Sequence, residues 1–162
     1  PGYATAGKMA DADTTGIVRI AVGNAARSGL GRERKKVSML EMKPVQNKNL
    51  ILELFEKENV PFQEGCGAFG ISERGDLAGY CLFRLEQSMR MLAVCCDDPF
   101  LLDGLVRATL NHGSLSGAAE ADFSALEGQM RDRLNKLGYF QKEPLPIEWF
   151  FTSCKPCKGV TE

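Results

Sequence analysis

Histidine is nearly absent from this sequence: His112 is the only one among 162 residues. The six cysteines include one Cys-x-x-Cys, Cys154 to Cys157, and no second such pair. A four-ligand zinc site would need Cys66 or His112 to converge on that pair, so no metal is expected. No run approaches the roughly 18–20 uninterrupted apolar residues that a membrane span needs. The best apolar run near the start, Gly16 to Val22, is broken by Arg19. We therefore expect neither a secretory signal nor a membrane partner, and a cytoplasmic chain whose thiols stay reduced. Cys81, Cys95 and Cys96 lie in apolar runs, where a free thiol behaves as a small hydrophobe.

Hydrophobic residues at 44% and charged ones at 25% exclude wholesale disorder, and 162 residues leave room for one core. The charge is uneven. Residues 1–38 hold seven basic and three acidic side chains, net +4, and residues 39–162 hold thirteen and eighteen, net −5. A domain of net −5 is poorly suited to unaided nucleic-acid binding, which draws its affinity from phosphate neutralisation, so no nucleic-acid partner is expected. Residues 1–38 show no sustained periodicity and end in Gly31-Arg32-Glu33-Arg34-Lys35-Lys36-Val37-Ser38, just before Met39. Purine-rich codons specify most of that run, as a bacterial ribosome-binding site would if translated. We read residues 1–38 as a non-native or disordered extension, residues 39–153 as the folded domain and residues 154–162 as a tail.

From Met39 the pattern alternates. Residues 39–45 read as a strand, and Leu50, Ile51, Leu54 and Phe55 mark an amphipathic helix with Asn47 or Asn49 as N-cap. Residues 66–72 and 77–85 read as strands joined at Glu73-Arg74-Gly75-Asp76. In the second, Leu77, Cys81, Phe83 and Leu85 are expected on one face, and Ala78, Tyr80, Leu82 and Arg84 on the other. Met89 to Cys96, apolar on both faces except for Arg90, reads as a central strand covered by helices. Asp98-Pro99 starts a helix that Gly113 would stop, with His112 an exposed cation at its end. Residues 118–123 follow as a short strand. Ser124-Ala125-Leu126-Glu127 has the form of a capping box, opening a helix that carries Leu126, Met130, Leu134 and Leu137 to Gly138. Residues 139–141 and 147–151 suggest a final hairpin, with Ile147, Trp149 and Phe151 on one face. The fold class is α/β: a mixed sheet with an antiparallel meander, then strand–helix–strand crossovers, and helices on both faces.

This order, with Leu92-Ala93-Val94-Cys95-Cys96 leading into one helix and Leu134-Asn135-Lys136-Leu137-Gly138-Tyr139-Phe140 closing another, resembles the GNAT superfamily of N-acetyltransferases over residues 39–151. The resemblance implies acetyl-CoA as co-substrate and a small-molecule or peptide amine as acceptor. In that family the central strand opens a gap beside its neighbour, where backbone pairs with the pantetheine arm; here Leu92, Val94 and Cys96 occupy it. The family's next turn, Arg/Gln-x-x-Gly-x-Gly/Ala, offers helix N-terminal amides to the pyrophosphate. Counted without gaps, Gly104 falls on its last glycine; aligned by helix phase, Leu102 does. Leu102, Asp103, Gly104 and Arg107 are the residues implied for this subsite. Asp97 and Asp98 stand beside it, and a like-charge contact at about 4 Å costs around 1 kcal/mol in water and about 4 near a protein surface.

Acyl transfer to an amine also needs a base to take the amine's proton and an acid for the departing thiolate. On the resemblance, the base candidates are Glu120 and Asp122 in the short strand, then Glu73. Many family members place the acid, a tyrosine, four residues before the glycine of Leu-Gly-Phe. That position is Leu134 here, and Tyr139, just after the glycine, is the nearest substitute. The sequence supports two readings: an acetyl-CoA-dependent N-acyltransferase, or a domain of the same shape that has lost CoA binding and serves as a binding or regulatory module. The reading of residues 1–38 predicts that the endogenous protein starts at Met39 or Met42. N-terminal sequencing checks this, and a start upstream of residue 30 overturns it.

Overall fold

The computed structural model describes residues 38–153 and the strand β1, Val18–Val22. The rest of the N-terminal extension and the Cys154/Cys157 pair lie outside the described residues. Seven strands form one sheet in the order β1-β2-β3-β4-β5-β6-β7. β1 lies antiparallel to β2, Ser38–Pro44, so the first 38 residues contribute an edge strand. β3 (Cys66–Glu73), β4 (Asp76–Leu85) and β5 (Met89–Cys95) continue the antiparallel meander. β6, Glu120–Asp122, is parallel to β5, and β7, Leu145–Pro146, closes the sheet antiparallel to β6.

Helices cover both faces. α1, Lys48–Lys57, begins where the Asn47 side chain accepts hydrogen bonds from the amides of Asn49 and Leu50. It packs Leu54 and Phe55 against Ala68, Tyr80 and Leu82 on one face of the sheet. On the other face, α2 (Pro99–Leu115), α3 (Gly128–Lys136) and α4 (Ile147–Ser153) share a cluster that includes Phe69, Phe83, Met91, Leu105, Leu134 and Phe150. The mixed α/β class and the two-sided cover agree with expectation. No helix among the described residues is long and apolar enough to cross a membrane.

Four expectations are corrected. α2 runs through Gly113 to Leu115, because Gly113 is a contact point and not a stop: a Cβ there would lie 2.6 Å from the Met89 sulfur. α3 starts at Gly128 and not at Ser124, because Asp122 takes the Ser124 amide at 2.8 Å and Gly128 sits at φ +63°. The final hairpin is a two-residue strand and a helix. Ile147 and Phe150, three apart, are the buried pair of α4, and so short an apolar run fits either period. Finally, Leu77 packs on the α1 side with Tyr80 and Leu82, whereas Cys81, Phe83 and Leu85 face α2. The register of β3 against β4 shifts beside Ile71, where Ile71 pairs with Gly79 and Ser72 with Leu77, and the extra residue reverses the alternation.

His112 is also displaced from its expected place. It is half-buried between the rings of Phe69 and Phe83, at 5.8 and 5.6 Å. Burial holds its imidazole below the ordinary histidine value. The unfolded chain takes up that proton near pH 6.5 and the folded chain only at lower pH, so stability present above about 6.5 is lost as pH falls. Denaturant unfolding at pH 7.5 and 5.5 should show a larger loss for the natural chain than for His112→Gln. Equal losses would remove His112 from the acid response.

Candidate functional site

β5 and β6 touch only where β5 starts and β6 ends. Met89 pairs with Ala121 and Arg90 with Asp122, and there β6 ends. β5 runs on to Cys95, bonded to β4 along its other edge. From Met91 onward no strand among the described residues lies on the β6 side. The register against β4 shifts at the same place: Leu82 pairs with Ala93 and Phe83 with Met91, leaving Leu92 as an inserted residue. A bulge of this kind bends a strand and raises its twist, which carries β5 away from its parallel neighbour. Leu92 to Cys95 are half-buried, and Cys96 is buried. Burial pushes the Cys96 thiol above its ordinary pKa and keeps it protonated, and its Sγ donates to the Asp98 carbonyl at 3.5 Å.

The open strand edge leads into α2. The Asp98 carboxylate accepts the Phe100 amide at 2.8 Å, and Pro99 has no N–H to offer. The amides of Leu101 and Leu102 both donate to the Asp98 carbonyl, at 3.1 and 3.0 Å. Every amide of the first turn is therefore committed, and the start of α2 has no free backbone N–H group for a phosphate. Leu102 is buried, and Gly104 packs toward Met42, 3.3 Å from where a Cβ would stand.

Asp103 and Arg107 come together with Tyr139. The Tyr139 hydroxyl donates to Asp103 Oδ1 at 2.7 Å, and Arg107 Nε donates to Asp103 Oδ2 at 2.8 Å. Tyr139 stacks on Phe150 at 4.9 Å, and the Arg107 guanidinium lies over the same Phe150 ring at 4.9 Å. Tyr139 is 0% exposed, and burial with the Asp103 bond drives its ionisation far above the tyrosine range. Its hydroxyl is thus a fixed donor that ties the α3–α4 connection to α2. Arg107 also lines a cleft of about 460 Å³ with Leu137, Gly138, Gln141, Trp149, Phe150 and Ser153.

The carboxylate candidates stand apart from this cluster. Glu120 pairs through its backbone with β7, and its exposed side chain has no hydrogen bond or ion pair among the described residues. Partial burial opposes ionisation of Asp122, but hydrogen bonds from Ser124 and the charge of Arg90, 3.6 Å away, outweigh it and hold the carboxyl below its usual range. Glu73 is exposed in the β3–β4 turn. No group of three or more His, Cys, Asp or Glu side chains able to hold a metal occurs among the described residues.

Sequence reasoning missed a second cleft, of about 270 Å³, between the start of α2 and the end of α3. Pro99, Leu102 and Leu137 line it together with Arg133 and Lys136, and its surface is mostly apolar. Two cations three residues apart on a helix ending at Leu137-Gly138 were the available signal. It also missed Tyr80, buried beneath α1, whose hydroxyl donates to Glu58 and whose cross-strand partner is Cys95.

If Tyr139 is the tie described here, Tyr139→Phe should cost about 1.5–3 kcal/mol of unfolding free energy, as expected for a lost hydrogen bond to a charged group. Unchanged stability in denaturant titration would show that the hydroxyl has some other role. Comparisons with protein-family models, curated proteins and solved structures find no match to this chain.

Proposed function

We propose that the chain is an acyl-CoA-dependent N-acyltransferase of GNAT-like build, acting on a small-molecule or peptide amine. The observation that carries the reading is the strand edge of β5 from Met91 to Cys95, which outruns β6 beside the start of α2. A pantetheine arm is an extended chain with two amide groups, and it adds to such an edge as a further strand would. The bulge at Leu92 sets the twist of that edge, and the half-buried Leu92 to Cys95 give the arm apolar surroundings. Backbone amides along this edge would then polarise the thioester carbonyl.

The amine must lose a proton before it attacks. Of the strand carboxylates, Asp122 lies opposite Arg90, where the open edge begins, and Ser124 and Arg90 hold it in the charged form that accepts a proton, whereas Glu120 precedes the start of β5. Tyr139 does not serve as the acid in this reading, because its hydroxyl is committed to Asp103.

One observation favours the second reading, a domain of this shape without CoA binding: the first turn of α2 has no free amide. Thermal unfolding of the full chain with and without saturating acetyl-CoA separates the two. A ligand at about 100 times its dissociation constant adds roughly 2.7 kcal/mol, which raises the midpoint by about ten degrees in a domain of this size. A rise of that order is expected. No shift at millimolar acetyl-CoA would overturn the acyltransferase reading.

A further inference from the structure

The committed start of α2 leaves a phosphorylated ligand without the usual helix amides, and Asp97 and Asp98 are both exposed beside it. Compensating charge stands on the next helix. Arg133 and Lys136 lie in the last turn of α3 and line the 270 Å³ cleft that Pro99 also lines. Arg84, Arg90, Arg107 and Arg131 are each paired with a carboxylate. Lys57 and Lys142 lie over aromatic rings. Arg133 and Lys136, like Lys48 and Arg74, are exposed with no side-chain hydrogen bond, ion pair or ring contact among the described residues, and of these four they are the two that line the cleft beside Pro99. Two unpaired, exposed cations beside a mostly apolar cleft suit a ligand that is part phosphate and part hydrocarbon.

We propose that Arg133 and Lys136 hold the phosphates of the acyl carrier, replacing the amides of α2. The proposal rests on the acyl-CoA reading and makes its phosphate recognition specific: side-chain cations on α3 in place of backbone N–H groups on α2. An arginine fork and a lysine ammonium supply up to eight N–H donors between them, and charge-assisted bonds to phosphate oxygens are the strong class of hydrogen bond. The ligand lies with its pantetheine arm along β5 and its diphosphate in the cleft between α2 and α3. Pro99, Leu102 and Leu137 pack against the hydrocarbon that joins them.

The test compares two thioesters that share the pantetheine arm, acetyl-CoA and S-acetylpantetheine, which lacks the phosphates. Calorimetric titration should show the natural chain binding acetyl-CoA at least about tenfold more tightly. In Arg133→Ala/Lys136→Ala that preference should collapse, while S-acetylpantetheine binds as it does to the natural chain, which shows that the fold and the β5 edge are intact. Arg133→Lys/Lys136→Arg should restore most of it. A double-alanine chain that keeps the preference overturns the assignment of these cations and leaves the acyltransferase reading standing. Equal binding of both thioesters by the natural chain overturns phosphate recognition altogether. If the natural chain binds neither, the acyltransferase reading falls with the proposal.

Discussion

β5 is packed on both faces and bonded along its full length on only one edge, and the rest of the structure is arranged around that inequality. Its first residues must serve two parallel and antiparallel neighbours at once, and its last residues only one. The inserted Leu92 makes this compatible with two filled cores. Ahead of it Met89 and Met91 face α2; beyond it Val94 and Cys96 do, while Leu92, Ala93 and Cys95 turn toward α1. Without the insertion strict alternation would send Ala93 and Cys95 to the α2 side, placing the smallest side chain where the larger one packs. The same residue that keeps both faces filled therefore frees the edge. Gly113 sets how closely α2 rides over the strand, since any side chain there would displace Met89.

Much of this was legible in the sequence where the signal was local. Asn47 before the Leu50/Leu54 stripe, Asp98-Pro99 before α2, and the Arg74-Gly75 turn each mark their element, and each is found there. Arg74 and Gly75 both take positive φ, 54° and 89°, which suits the tight reversal between two twisted strands. What the sequence did not reveal depends on competition between distant or alternative partners. Ser124 loses its capping role because the Asp122 side chain takes its amide first. Ile147 to Phe151 fits an alternating and a helical period equally, and burial of Ile147 with Phe150 decides between them. His112 reads as a helix-end cation until Phe69 and Phe83, about forty and thirty residues earlier in the chain, close over it.

The candidate site was less legible than the fold, and for a related reason. Asp103, Arg107 and Tyr139 were each singled out for chemistry, and the structure brings all three together, but as a closed set of bonds beneath α4. A tyrosine that follows a helix-ending glycine is turned back toward the neighbouring helix, where the Tyr139 amide already bonds the Leu134 carbonyl. Its hydroxyl must then find a partner inside the protein, and Asp103 is that partner. The uncommitted cations that line the cleft beside Pro99, Arg133 and Lys136, carry no motif at all.

Helix stability and anion binding compete for the same N–H groups. A carboxylate N-cap followed by proline is among the strongest local signals for starting a helix, worth about 1 kcal/mol through the cap alone. At α2 it is satisfied completely: Asp98 takes one amide with its side chain and two with its carbonyl, and Pro99 removes the fourth. A helix so well begun has nothing left to offer a phosphate. A phosphate brought to this end of the sheet must find its positive charge elsewhere, and α3 presents that charge at the cleft that Pro99 lines. The feature that makes α2 easy to read from sequence is therefore the one that moves recognition onto residues the sequence does not mark.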